Sequence, residues 1–275
     1  MNLQVLVSTM NQLDKSILHR MHINSDIVII NQTNRNLTIE FEYNYHTVKW
    51  IDTSEIGLSK SRNMALREAT GDICILTDDD VIYSDDFAHI IKFAFKRIPD
   101  ADMIAFNATK LNITSRGRIN EITKLKKVAK YKGIGMVCIA FRLKSLKEKK
   151  IVFNENFGPG SIYSSGEDSL MFIEANKKGL NLYEYPAEIA TVDFSKSSWF
   201  NGYNEEYFYN IGAWLSVAYP KLKYIYQFYY IYKLKRYSKL SAKQILLYIK
   251  FGFKGYKEML SFKSFINRFN NNGKI

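Results

Sequence analysis

The stretch Asp72-Ile73-Cys74-Ile75-Leu76-Thr77-Asp78-Asp79-Asp80-Val81 decides the fold, because an apolar run ends there in three consecutive carboxylates. A continuous apolar run of this length predicts a short strand that is buried on both faces of a sheet. The three acids then follow the strand's carboxyl end, where open α/β sheets bind their ligands. Adjacent like charges raise one another's pKa, and a divalent cation such as Mg²⁺ or Mn²⁺ would neutralise them. The segment is therefore either a metal site or a solvated acidic turn.

The residues before this strand predict a helix whose first turn binds an anion. In GLSKSRNMALREATG, residues 57–71, the apolar positions have helical spacing and Gly71 marks the end. Lys60 and Arg62 lie in the first turn, where unbonded backbone N–H groups favour phosphate. Basic side chains are unfavourable at a helix N terminus on dipole grounds alone, so an anionic ligand would explain them.

Other N-terminal segments predict strands that end at polar side chains. Largely apolar segments at residues 3–7, 26–30 and 48–51 alternate with helical or polar segments. This alternation predicts a mostly parallel sheet with crossover helices. The polar residues that follow the runs are Ser8, Thr9, Asn31 and Asp52. We expect them to line the same edge as Asp78, which is a nucleotide site by position.

These motifs resemble the donor-binding half of the nucleotide-sugar glycosyltransferases of family 2, which have the GT-A fold. Residues 57–81 carry that family's helix with an Arg-Asn pair, followed by a strand that ends in an Asp-x-Asp motif. The resemblance extends from residue 3 to about residue 200 and implies an inverting enzyme with a nucleoside-diphosphate sugar donor. It implies Mn²⁺ or Mg²⁺ at Asp78 and Asp80. It also implies donor contacts from the following residues: Ser8, Thr9, Asn31, Asp52, Lys60, Arg62, Asp78 and Asp79.

A second acidic pair follows a glycine in SSGEDSLMF, residues 164–172. Gly166 permits a sharp entry into a helix, and Glu167 and Asp168 fall in its first turn, where acids are also favoured for dipole reasons alone. In the family, an acidic pair at this point supplies the catalytic base. The resemblance therefore implies that Asp168 deprotonates the acceptor hydroxyl, with Glu167 as the alternative base or as an acceptor-binding residue.

Two positions depart from the family's pattern. Many members end the second strand in an Asp that pairs with uracil, whereas this chain has Asn31-Gln32. These amides either bond to a base or only shape a turn. The resemblance makes a UDP-sugar the first expectation, but the departure leaves the identity of the base open. Many GT-A enzymes also have a histidine metal ligand near position 193. Here Asp193 is either an oxygen ligand in its place or an ordinary strand-end acid.

Composition narrows the partners and the compartment. The net charge of +12 favours anionic partners, which include nucleotide phosphates, nucleic acid and an acidic membrane surface. The two cysteines, Cys74 and Cys138, have no metal-ligand spacing and predict no disulfide framework, as in a reducing cytoplasm. The sequence starts without the pattern of a signal peptide, and no apolar run reaches the ~18 residues of a membrane span. We therefore expect a cytoplasmic protein.

The C-terminal region, residues 201–268, interleaves aromatic and basic residues at amphipathic spacing over residues 222–237 and 245–260. This pattern predicts a helix in a membrane interface, or a helical cap packed on the catalytic domain. We expect a GT-A domain over 1–200, with a donor half at about 1–107 and an acceptor half at about 108–200. The helical extension and a disordered tail at 269–275 follow. An enzyme held at the inner face of the cell membrane would meet a glycan or polyprenyl-linked acceptor in surface polysaccharide synthesis.

Two other functions fit parts of the sequence. A metal-dependent nucleotidyltransferase also needs acidic metal ligands, but it places a basic glycine-rich loop after the first strand, and residues 8–11 are STMN. A basic nucleic-acid-binding protein would account for the charge and the aromatic residues. The three aspartates, however, would repel a phosphate backbone, so we expect no nucleic-acid partner.

Overall fold

The computed structural model describes residues 1–111, 121–128, 136–193, 195 and 201–271. The chain divides into two compact units. The first comprises Met1–Phe153 and Met171–Ser197, and the second comprises Asn154–Leu170 and Ser198–Ile275. The expected boundary at residue 200 lies outside the described residues. The segment 154–170, which we expected within the catalytic domain, groups with the C-terminal helices.

The first unit is built on one large sheet. Its strands are β1 (Leu3–Met10), β2 (Asp26–Gln32), β3 (Leu37–Tyr43), β4 (His46–Thr53), β5 (Ile73–Asp78), β6 (Val81–Tyr83), β7 (Met103–Leu111), β8 (Lys126–Lys127), β9 (Ile139–Arg142) and β10 (Leu182–Asp193). The order is β3-β4-β2-β1-β5-β9-β7-β10-β6, and β8 pairs with β10. The strands from β4 to β5 are parallel neighbours, as expected for the donor half.

The other pairs make the sheet mixed rather than mostly parallel. β3, β6, β8 and β9 pair antiparallel with their neighbours, and β7 pairs parallel with β10. Antiparallel neighbours need no crossover helix, so the alternation of strands and helices could not indicate these pairs. The strands β3, β6 and β8 were not predicted from the sequence. β3 is a largely exposed edge strand, and β6 and β8 are very short.

Helices cover both faces of this sheet. They are α1 (Ser16–Arg20), α2 (Leu58–Glu68), α3 (Phe87–Arg97), α4 (Leu143–Glu148) and most of α5 (Glu167–Lys177). Successive strand residues point to opposite faces, so Val5 and Val7 pack in the core with α1 and α3, and Leu6 packs in the core with α2, α4 and α5. This double burial explains the continuous apolar runs of β1, β2 and β5.

The second unit contains the helices α6 (Glu205–Ala218), α7 (Lys223–Leu234), α8 (Ala242–Glu258) and α9 (Phe262–Asn271). α6 and α8 approach closely at Gly212 and Gly252, where an added Cβ would overlap the opposite backbone. Most of α9 lies within the helical extension expected over 201–268, but its end includes Asn270 and Asn271, which we expected in a disordered tail. The rest of that tail, residues 272–275, lies outside the described residues. Within the described part of the chain, no helix has the length and apolarity to cross a membrane.

Candidate active site

Strand register brings the polar residues of the parallel strands to one edge. Thr9 pairs with Asn31 across β1 and β2, and Asn31 pairs with Asp52 across β2 and β4. On the other side of β1, Ser8 pairs with Asp78 at the end of β5. The carboxyl ends of four neighbouring strands therefore form one continuous edge, which we call the strand-end rim. The sequence had predicted that these residues lie together.

Asp78 is held by the arginine of the predicted anion-binding helix. The Arg62 Nη2 atom lies 3.3 Å from each carboxylate oxygen of Asp78. The Arg62 side chain is buried, and its guanidinium carbon lies 5.4 Å from the ring centroid of Phe153. The next residue, Asn63, exchanges two hydrogen bonds with the Phe153 backbone. The Arg-Asn pair thus anchors α2 to both the acidic strand end and the chain at residue 153.

Asp79 turns toward β1 instead. Its Oδ2 atom accepts hydrogen bonds from the Thr9 hydroxyl at 2.5 Å and from the Gln12 side-chain amide at 3.1 Å. The Gln12 backbone also exchanges two hydrogen bonds with the Asn31 side chain. Gln12 therefore links the acidic turn to the end of β2. Its role was not predicted from the sequence, because a glutamine in a loop belongs to no motif and its partners Asn31 and Asp79 are distant in sequence.

Asp80 lies where negative charge accumulates. Burial, together with the charges of Asp78, Asp79 and Asp193, raises the pKa of the Asp80 carboxyl to about 7. β10 runs antiparallel to β6 with Val192 opposite Val81, so Asp193 falls beside Asp80. The Asp193 amide donates to the Asp80 carbonyl oxygen at 2.9 Å. The structure thus places Asp193, which is distant in sequence, at the acidic turn.

The acidic residues fit a cation that also binds a ligand. Among the described residues, no group of three or more His, Cys, Asp or Glu side chains is arranged to hold a metal ion alone. Mg²⁺ is usually bound through one or two carboxylates together with substrate phosphates, rather than by a cage of protein ligands. Asp80 offers hard oxygen atoms, and the neighbouring acids disfavour its charged form in the absence of a cation. These residues therefore fit a site completed by a diphosphate.

Asp52 is the centre of a buried hydrogen-bond network at the other end of the rim. Its Oδ1 atom accepts from Trp50 Nε1 at 2.8 Å and from Asn31 Nδ2 at 2.7 Å, and its Oδ2 atom accepts from Arg35 Nε at 2.6 Å. Burial raises the pKa of Asp52, but these bonds and the Arg35 charge together hold it below the ordinary value. Arg35 is exposed and was not among the predicted site residues.

The first turn of α2 is joined to the rim by short side chains. Ser61 donates its hydroxyl proton to the Ser8 Oγ atom at 2.9 Å. The Gly57 amide donates to Gln32 Oε1 at 2.7 Å. Asn31 and Gln32 therefore have the turn-shaping contacts that the sequence left as one of two possibilities. Lys60 is partly exposed in the same turn.

The second acidic pair begins α5 and belongs to the second unit. Gly166 has φ +108°, and an added Cβ would lie 2.6 Å from Trp214 Cδ1. Trp214 donates from Nε1 to Ser169 Oγ at 2.8 Å, and Ser169 donates to the Gly166 carbonyl at 2.9 Å. Glu167 is buried and Asp168 is partly exposed. The sharp helix entry expected at Gly166 is present.

Comparisons with known proteins identify the class and then the family. The central sheet with its covering helices defines an α/β protein of the GT-A fold. The family model described as "Glycosyl transferase family 2" matches residues 7–158, which is more than half of the chain. The chain therefore belongs to glycosyl transferase family 2 and is a glycosyltransferase. The match includes the acids of residues 78–80 but ends before the two at residues 167 and 168.

Crystal structures of S. aureus TarS are similar to this chain. TarS 1-349 is 13% identical with a TM-score of 0.57, and the alignment covers 95% of this chain and 93% of that one. TarS 1-349 in complex with UDP-GlcNAc is 16% identical with a TM-score of 0.56, covering 97% and 79%. TarS itself is 15% identical with a TM-score of 0.54, covering 100% and 46%. At these identities the likeness shows the fold. No curated protein matches the chain in a sequence comparison.

Proposed function

We propose that this protein is an inverting glycosyltransferase that transfers a sugar from a nucleoside-diphosphate sugar to a glycan or lipid-linked acceptor. The observation that carries the proposal is the strand-end rim, which joins polar strand ends to an acidic turn in a chain of family 2. The first donor to test is a UDP-sugar. TarS, which shares the fold, has been crystallised with UDP and with UDP-GlcNAc.

In this proposal the donor lies along the rim. The nucleoside contacts the ends of β1, β2 and β4, and Asn31 and Asp52 shape its site through their mutual hydrogen bond. The sugar and diphosphate lie toward Ser8, Thr9 and the acidic turn. Lys60 reaches the diphosphate from the first turn of α2, where backbone N–H groups also favour an anion. Arg62 acts by holding Asp78 in position.

A divalent cation, Mn²⁺ or Mg²⁺, would be held by Asp80 and Asp78, with Asp193 as a third oxygen donor. When bound, it supplies charge neutralisation for the departing nucleoside diphosphate. The raised pKa of Asp80 supports this role, because crowded carboxylates favour a bound cation. Asp79 instead orients the end of β1 through its bond from Thr9.

Inversion requires a base on the face of the sugar opposite the leaving group. We assign this role to Asp168, which would take the proton from the acceptor hydroxyl as that oxygen attacks the anomeric carbon. Glu167 either supports acceptor binding or replaces Asp168 as the base. Gly166 supports the assignment, because its left-handed backbone fixes where α5 begins and thus where both acids lie.

The acceptor that we propose is a glycan under construction, or its polyprenyl-linked precursor, in surface polysaccharide synthesis. The basic and aromatic residues of the C-terminal region support a location at the inner face of a membrane. An enzyme there would meet a lipid-linked acceptor directly.

A donor screen tests the proposal. The purified protein is mixed with a panel of nucleotide sugars and Mn²⁺, and both the melting temperature and nucleoside-diphosphate release are measured. We expect one donor to raise the melting temperature, because ligands that bind only the folded state stabilise it. Release of pyrophosphate from a nucleoside triphosphate and a sugar phosphate would instead identify a nucleotidyltransferase. Salt-sensitive binding of DNA or RNA without donor turnover would also overturn the proposal.

A further inference from the structure

We infer that the exposed aromatic face of α7 is the surface by which the protein docks on a bilayer containing anionic lipids. We call this face the α7 stripe and define it by Ile225, Phe228, Tyr229 and Tyr232. These residues are spaced i, i+3, i+4 and i+7, so they lie on one side of the helix. Ile225 is 68% exposed, Phe228 is 59% exposed and Tyr232 is 88% exposed.

The opposite side of α7 is packed, so the exposed stripe does not result from a helix detached from its unit. Leu234 and Gln227 are buried, and burial raises the pKa of Tyr230. The ring of Tyr230 also lies 5.9 Å from that of Trp214 in α6. Helix α7 therefore has one side held by its neighbours and one side of large apolar and aromatic groups in contact with water.

Basic side chains border the stripe. Lys221 lies in the turn before α7, and Arg236 lies in the single 3-10 turn that follows it, so an exposed basic residue flanks α7 at either end. Lys233 lies beside the stripe, with its Nζ atom 5.8 Å from the ring centroid of Tyr229. Between residues 207 and 257 the sequence contains no acidic residue at all. This face therefore carries positive charge that nothing on its own segment neutralises.

This combination matches an anionic lipid surface better than a second protein copy. Aromatic rings with one polar end favour the level of lipid headgroups, and neighbouring Lys and Arg side chains are attracted to anionic lipids. In a symmetric pair of α7 stripes, each face would bring the same basic residues to its partner. Like charges would then oppose one another, which disfavours that arrangement.

Helix α8 provides the internal comparison. It has a similar mixture of aromatic and basic residues, but Ile245, Ile249 and Phe253 on its apolar side are buried in the second unit. Leu247 is the large apolar residue of α8 that is exposed. Composition alone indicated a membrane helix in both segments, whereas packing leaves only α7 with an apolar face in water.

The inference deepens the proposed function, because docking through α7 would bring the enzyme to a lipid-linked acceptor. Vesicle binding itself does not depend on catalysis. A protein that binds vesicles but releases no nucleoside diphosphate would keep this inference and overturn the proposed function. A protein that releases nucleoside diphosphate from a donor but does not bind vesicles would keep the proposed function and overturn this inference.

Vesicle sedimentation tests the inference. The full chain is mixed with phosphatidylcholine vesicles, or with phosphatidylcholine vesicles that contain phosphatidylglycerol. We expect binding to the anionic vesicles and at least about tenfold less after the combined change Ile225→Ser, Phe228→Ser and Tyr232→Ser. The pair Lys233→Gln and Arg236→Gln should weaken the same binding by about tenfold, and high salt should do likewise. The matched control, Leu247→Ser on α8, should bind like the unaltered protein.

Each variant is first checked by its melting temperature, which exposed substitutions should leave nearly unchanged. Three results would overturn the inference. These are a failure of the unaltered chain to bind anionic vesicles, normal binding by the triple variant, and a loss of binding in Leu247→Ser equal to that in the triple variant. A dimer in sedimentation velocity that the triple change disperses, without vesicle binding, would identify a second copy as the occupant instead.

Discussion

The two acidic segments of this chain, residues 78–80 and residues 167–168, are positioned in different ways. The first lies at a strand end, where register with neighbouring strands and the later strand β10 bring Asp193 beside Asp80. The second begins a helix, where a left-handed glycine and Trp214 define the entry. Crowded carboxylates at the rim favour a cation, whereas the acids of the helix start are set by local backbone geometry. We therefore assign donor binding to the first segment and proton transfer to the second.

The substitution Asp80→Asn should have the largest effect. It removes the carboxylate that we assign to the cation and keeps its size, so we expect transfer to fall about a thousandfold. The increase in melting temperature on adding donor with Mn²⁺ should disappear as well. Asp86→Asn, an exposed acid before α3, is the matched control and should leave both measurements unchanged. Normal Mn²⁺ dependence in Asp80→Asn would remove this acid from the cation site.

The substitution Asp168→Asn should separate chemistry from donor binding. We expect the transfer rate to fall about a hundredfold, as for the loss of a general base, while the donor-induced melting shift stays unchanged. Glu174→Gln, further along α5 and paired with Lys178, serves as the control. If Glu167→Gln causes the loss and Asp168→Asn does not, the base is Glu167.

Gly166→Ala should show how strictly the second segment is positioned. The added methyl group would meet Trp214 in a backbone conformation that L residues rarely adopt, so we expect a loss of about 2 kcal/mol in the free energy of unfolding. Gly179→Ala is a matched control, because Gly179 also has positive φ but nothing lies within 4 Å of an added Cβ. Equal losses in the two variants would show that the contact with Trp214 has no effect. Denaturant unfolding supplies both values.

A smaller effect should come from the hydrogen-bond network of Asp52 in the strand-end rim. Hydrogen bonds hold the pKa of folded Asp52 below its ordinary 3.8, so its stabilisation is complete above that value and is lost as the pH falls through the folded pKa. Asp52→Asn should therefore reduce the dependence of unfolding free energy on pH in the acid range. Arg35→Gln should reduce it less, because the bonds from Trp50 and Asn31 remain. Identical acid unfolding in the unaltered protein and Asp52→Asn would contradict this network.

The strand-end rim could be predicted from the sequence because each strand and the polar residue at its end are adjacent in the chain. Each strand's apolar residues are followed at once by a polar residue at the strand end, and parallel pairing then brings Ser8, Asn31 and Asp52 together. The contacts of Gln12 and Arg35 escaped prediction because they depend on loops that meet only after folding. Edge strand β3 escaped prediction because it is largely exposed, and β6 and β8 escaped because they are only three and two residues long.

The C-terminal region shows a second limit. Helices α7 and α8 have the same kinds of residues, and the sequence could not distinguish a membrane helix from a packed cap. Two glycines explain why α8 is packed, because Gly212 and Gly252 allow α6 and α8 to approach until their backbones touch. That closeness buries the apolar side of α8, while α7 keeps its stripe exposed. Spacing predicts which residues share a face but not whether another helix covers it.

The most direct test is a crystal structure with the donor found in the screen and Mn²⁺, using anomalous scattering to locate the metal. We expect manganese beside Asp80, with oxygen ligands from Asp78, Asp80 and Asp193 and from both phosphates of the donor. A donor bound elsewhere, or manganese absent while Asp78, Asp80 and Asp193 face bulk water, would contradict the account.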